Sequence, residues 1–299
     1  MHSPPRLALF SLLLLTLPWA VPAVAQAMAP EEARPAAWSM QDGQSTVVLL
    51  GSIHVLPASM AALPRFIHEI YDSADTLVME LAMDQFDPMA FQQRVTELGR
   101  LPPDQQLQDA LGRERWAEAA AMARANDLQL ELLNEVQPWL AALTVTQIRL
   151  MQMGFSPEFG IEMQLTRWAT RDGVPMVGLE TVEEQLAVFA DLSEQAQIEM
   201  LMQSLSDAVT IQEDLDDIVG AWASGDVARM EDELLASVRE SAELYEAVAV
   251  QRNRAWIEPI EALLQQPGTH LVVVGALHLV GEDSVIAMLE ARGHTLQRL

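Results

Sequence analysis

The same pattern stands near both ends of this chain. Residues 46–56 read TVVLLGSIHVL and residues 270–280 read HLVVVGALHLV, so that strand falls on strand, Gly51 on Gly275 and His54 on His278. Each copy is a short apolar run, a glycine, two residues and a histidine, with helical spacing after it. Runs this short and this apolar fit strands buried on both faces. The glycine permits a close turn at the strand end, and in an open α/β sheet the carboxyl ends of the strands are where ligands bind. One Gly-x-x-His is a chance occurrence; two, each directly after a buried strand, point to a shared polar site.

The stretches between them alternate in character. A helix is predicted over about 60–73 and a second strand over 76–81 (TLVMEL), which implies βαβ connections and a largely parallel sheet. Residues 87–125 have helical spacing, broken by Pro102 and Pro103, and the alternation of 128–133 (LQLELL) favours a strand. Pro138 opens a helix to about 153, and after the break at 155–157 another runs from about 161 to 170. A short strand over 175–179 ends at Glu180, and Thr181 with Glu184 fits a capping box. The acidic stretch 181–264 reads as a helical insertion, broken near Gly220 and Gly225 and predicted to cap the cleft. A strand at 271–274, a helix at about 282–291 and a final strand at 294–299 complete an α/β fold with a mostly parallel sheet.

The N-terminus has the features of an export signal. Arg6 precedes an apolar stretch from 7 to 17, too short for a resident membrane helix, and Ala23-Val24-Ala25 forms a cleavage site before Gln26. Residues 26–44, rich in alanine, proline and glutamate, read as a flexible leader, which leaves 45–299 as the folded domain. No later segment has transmembrane character. The expected location is the periplasm of a bacterial cell envelope.

Composition narrows the chemistry. The chain has no cysteine, which excludes disulfides, thiol catalysis and thiolate metal sites. Its 43 acidic against 17 basic residues give a formal charge of −26, which disfavours nucleic acid as a partner. Any metal must be held by His, Asp or Glu. Glu80 sits in an apolar run and Glu180 ends a strand; a buried carboxylate needs a cation, a metal or a donor-rich pocket. His68-Glu69 begins like a zincin helix, but Asp72 stands where the second histidine belongs. His270 and His294 read as structural or exposed, and the methionines at 151, 153 and 163 as core fillers.

These motifs resemble the TraB/GumN family, which includes the Tiki proteases. GSIHV at 51–55 is similar to its first Gly-x-x-His motif, VMEL at 78–81 to its following glutamate, and GLETVEEQ at 178–185 to its GLET-x-x-x-Q segment. Arg252-Asn253 resembles its Arg-Asn pair and VVVGALHLVG at 272–281 its second Gly-x-x-His motif. The chain departs from the family at Gly160-Ile161-Glu162, where Gly-Ile-Asp is frequent. The resemblance implies a fold related to erythromycin esterase and ChaN-like proteins, with the motifs converging on one cleft, and a divalent-metal-dependent peptidase activity for Tiki-like members.

On this reading His54, Glu80 and His278 form the metal-binding or catalytic core. Imidazole with carboxylate suits manganese, cobalt, zinc or iron. Glu180 or Glu162 is the candidate general base, and Arg252 with Asn253 would stabilise an oxyanion or orient a carboxylate. The leading expectation is a metal-assisted hydrolase acting on a peptide or small molecule. A metal-free esterase-like hydrolase and a non-catalytic binding domain of the same fold are the alternatives.

Overall fold

The computed structural model describes residues 33–207 and 211–299. The expected signal peptide, 1–25, and the first residues of the leader lie outside the described residues. The expected leader ends earlier than its composition suggests. Ala37, Trp38 and Met40 are buried, and Ala37–Asp42 forms strand β1. It turns directly into β2, Ser45–Ser52, pairing antiparallel with Ala37 opposite Leu50.

The remaining strands are β3 (Leu56–Pro57), β4 (Thr76–Met79), β5 (Phe155–Ser156), β6 (Met176–Gly178), β7 (Gly268–Gly275) and β8 (Gln297–Arg298). The main sheet has the order β6-β4-β7-β2-β1-β8, and β3 pairs with β5 apart from it. β6, β4, β7 and β2 run parallel, while β1 and β8 add an antiparallel edge. The buried run Leu271–Val274 at the sheet centre explains the continuous apolar signal, since a parallel strand covered on both faces has no polar side to show.

Two local expectations are corrected. Residues 130–133 form a 3-10 turn instead of a strand, because the chain there closes back onto the preceding helix and offers no strand partner. Gly51 lies inside β2 and its role is close approach, not a turn: a Cβ there would stand 3.1 Å from the Cα of Ala276, so one Gly-x-x-His segment packs on the other.

The described part of the stretch 181–264 is helical as expected, with breaks after residues 190, 224 and 235. Thr181 and Glu184 form the predicted capping box. Gly225 ends the helix Ile211–Ser224, but Gly220 lies within it. Trp222 from this helix donates its indole N–H to the carbonyl of Gly51, 2.9 Å away, fixing the insertion to the end of β2. A π-helical turn, Glu246–Val250, leads into the helix Gln251–Leu263. Among the described residues no helix is long and apolar enough to cross a membrane.

Candidate functional site

The parallel strands place their carboxyl ends on one rim, where the sequence motifs meet. Glu80 follows β4 and Glu180 follows β6, and the ladder continues past the strands: Leu179 N–H donates to Met79 and Glu180 N–H to Glu80, at 2.8 and 3.0 Å. The two carboxylates are therefore cross-strand neighbours. His54 follows β2, and His278 sits in a 3-10 turn directly after β7. Both motif histidines approach Glu80 Oε1, at 3.8 and 3.9 Å, but their remaining partners differ.

Arg252 is driven in from the helix Gln251–Leu263 and is 5 % exposed. Its Nε donates to Glu180 Oε2 at 3.0 Å, and its Nη2 to Glu180 Oε1 and Glu80 Oε2, each at 2.6 Å. Nη1 donates to the carbonyl of Val248 at 3.3 Å and stands 3.0 Å from His278 Nε2. All five guanidinium N–H groups are thus engaged. Gln185 bridges the same pair, 3.0 Å from Glu180 and 3.4 Å from Glu80, and the N–H of Gly275 donates to Glu80 Oε1 at 2.8 Å.

Electrostatics follow from this packing. Burial would lower the Arg252 pKa, but the charges of Glu80 and Glu180 outweigh it and raise it. Burial pushes Glu180 up, and Arg252 opposes that rise without cancelling it. His278, fully buried, is held well below its ordinary value by burial and then by the charges of Arg252 and His54.

His54 lies in a different setting. Its Nδ1 is 2.7 Å from Glu162 Oε1, and its side chain is 19 % exposed. Its Nε2 has no hydrogen-bond partner and stands 3.8 Å from Glu80 Oε1. Burial would lower the His54 pKa, yet the charge and hydrogen bond of Glu162, helped by Glu80, hold it up at about 9. Burial would raise Glu162, but His54 and the hydroxyl of Ser52, which donates to the same Oε1, bring it below its ordinary value. The second oxygen of Glu162 has no partner. Local backbone makes this meeting possible. Ile161 N–H donates to the Ile53 carbonyl at 3.1 Å, and a Cβ on Gly160 would collide with the carbonyl of His54.

Nε2 of His278 is 3.9 Å from Glu80 Oε1, as His54 Nε2 is at 3.8 Å. The His278 lone pair, however, faces an N–H of Arg252, and that cation already neutralises Glu80. His54 Nε2 and the second oxygen of Glu162 are the unpartnered donors at this rim, while Glu80 Oε1 already accepts from Gly275, and among the described residues no group of three or more His, Asp or Glu side chains is arranged to hold an ion. As arranged, the residues do not fit a resident divalent metal.

Sequence reasoning singled out His54, Glu80, Glu162, Glu180, Arg252, Asn253 and His278, and the structure brings all of them to one rim. It gave no role to Ser52, Gln185 or Trp256. Trp256 lies one helical turn beyond Arg252, stacks under its guanidinium at 4.7 Å and packs on the His278 ring at 4.5 Å. That i, i+4 spacing was the signal that could have found it. Beside the cluster opens a groove of about 470 Å³ whose lining includes Glu180, Arg252 and Trp256 and the acidic Glu184, Asp191 and Glu246.

Comparison with known proteins agrees with the motifs. The chain is 27 % identical over 241 residues to the uncharacterized protein YbaP of Escherichia coli (strain K12), covering 81 % of this chain and 86 % of that one. It is 22 % identical over 267 residues to an uncharacterized protein of Treponema pallidum (strain Nichols), covering 85 % and 80 %. No solved structure matches it. The TraB/PrgY/gumN family model matches residues 36–298, all of the sheet and the rim it carries, and the chain belongs to that family.

Proposed function

We propose that the protein is a hydrolase in which His54, oriented by Glu162, moves the protons. One observation carries this reading: Nδ1 of His54 is fixed by a carboxylate while Nε2 is left without a partner. A histidine held at one nitrogen by an acid presents the other in a defined direction to a reacting group. In the neutral form Nε2 takes a proton from water as its oxygen attacks an ester or amide carbonyl. The imidazolium so formed returns that proton to the departing oxygen or nitrogen, and Glu162 stabilises the charge in between. Glu80, Glu180 and Arg252 form the fixed wall behind it. The groove beside Glu180 and Arg252 is acidic and favours neutral or cationic ligands over anions.

A second reading, metal-assisted hydrolysis, is supported by the similar distances of the two Nε2 atoms from Glu80 Oε1. It requires Arg252 to leave His278. Hydrolysis of a panel of ester and peptide substrates by chelator-treated protein tests the choice. Turnover that survives chelation and is abolished in His54→Gln supports the first reading; turnover restored only by added manganese, cobalt, zinc or iron overturns it in favour of the second. Export to the periplasm is part of the proposal, on the strength of Arg6, the apolar stretch and the Ala23-Val24-Ala25 site. Sequencing the N-terminus of protein recovered from the periplasm checks it, with Gln26 expected first.

A further inference from the structure

His278 has the same motif as His54, yet its surroundings dictate a different task. Asn253, 1 % exposed, donates its Nδ2 to the carbonyl of Asp283 at 2.7 Å. A carbonyl only accepts, so the amide cannot be turned round, and it is Oδ1 of Asn253 that faces His278 Nδ1, also at 2.7 Å. That nitrogen must carry a proton. On the other side of the ring, Nε2 lies 3.0 Å from Nη1 of Arg252, a group that only donates, so this nitrogen must be bare. One protonation pattern satisfies both neighbours. Adjacent residues of one helix thus grip opposite nitrogens of one imidazole, and Trp256 closes on its face. Asp283 is itself held by the hydroxyl of Tyr245 at 3.1 Å.

We infer that His278 is a positioning residue, kept as the neutral imidazole protonated on Nδ1, whose Nε2 lone pair holds the Arg252 guanidinium and through it the carboxylates of Glu80 and Glu180. The chain Tyr245, Asp283, Asn253, His278 then reaches Arg252 at the rim. The two Gly-x-x-His motifs divide the labour: His54 has an unpartnered Nε2, and both nitrogens of His278 are taken. The inference rests on the hydrolytic reading only for what is being positioned; the hydrogen-bond argument stands apart from it.

The test uses the full chain with ¹⁵N-labelled histidine and arginine. Long-range proton–nitrogen spectra should show His278 protonated on Nδ1 alone, and the Arg252 Nε–H resonance should exchange slowly with solvent. His278→Gln places an amide oxygen where Nε2 was and should keep that slow resonance, with turnover within about tenfold of the parent. His278→Ala should lose the resonance and about 100-fold in turnover. A proton on Nε2, broadening of the His278 ring signals by added manganese, or a Gln variant as impaired as Ala would overturn the inference. Should the parent hydrolyse nothing, the hydrolytic reading fails, while the protonation pattern and the Arg252 resonance still decide the role of His278.

Discussion

Oε1 of Glu162 lies 2.7 Å from Nδ1 of His54, although the two are carried by unrelated elements, the start of the helix Ile161–Asp172 and the loop after β2. The pairing makes the imidazole a weaker acid than a free one, with a pKa of about 9. The neutral form is the base, so kcat/KM should climb about tenfold per pH unit below about 9 and level above it. Glu162→Gln removes the charge that holds His54 up. The rising limb should move to lower pH and the plateau should fall about 100-fold. A pH–rate series on both proteins checks this, and an unmoved limb with an unchanged plateau would sink it.

Stability should depend on the same pair in two windows. The folded pKa of His54 lies above its ordinary 6.5, so its contribution is complete below that value and is lost as the pH rises through about 9. Glu162 is depressed, so its contribution is complete above the ordinary carboxylate value and is lost as acid is added. Urea midpoints should therefore fall on the alkaline side in the parent and stay flatter there in His54→Gln.

Arg252→Ala would leave Glu80 and Glu180 buried beside each other with no cation. The unfolding free energy should drop by about 3–5 kcal/mol. Arg252→Lys keeps the charge but not the fork, and should recover part of the stability while turnover remains depressed. Denaturant titration beside kinetics separates the two effects.

Gly160→Ala should destabilise the fold by about 2–4 kcal/mol, because the new methyl meets the His54 carbonyl and backbone must yield. If the variant still folds, the His54–Glu162 pair is displaced, and loss of the imidazole's unusual titration reports it. Native-like stability with native-like titration would contradict the packing described.

The strands at 46–50, 76–79 and 271–274 were legible because parallel strands buried on both faces have no polar alternation to confuse. β1 was not, since Trp38 and Met40 alternate with polar residues in a stretch whose proline and glutamate suggested a leader. The site was legible as a set, through residues that are costly to bury, but not as a circuit. Nothing in the spacing of Arg252 tells which of its donors meets His278 and which meets Glu180; that depends on the π-helical turn before it and on sheet order. Ser52 was overlooked because a serine at a strand end is unremarkable until a glutamate from a distant helix arrives above it.

β7 separates β4 from β2 at the middle of the sheet, yet it is built from residues 268–275. A chain growing or threading from its N-terminus therefore holds two half-sheets that cannot join until nearly all of it has appeared, since β2 and β4 do not pair with each other. The distant strand pairs that earlier segments can form, β4 with β6 and β3 with β5, leave the two halves unjoined, which favours slow, late assembly over piecewise folding. A fragment truncated before Gly268 lacks the seam of the molecule, along with His278, and should remain sensitive to protease along its whole length.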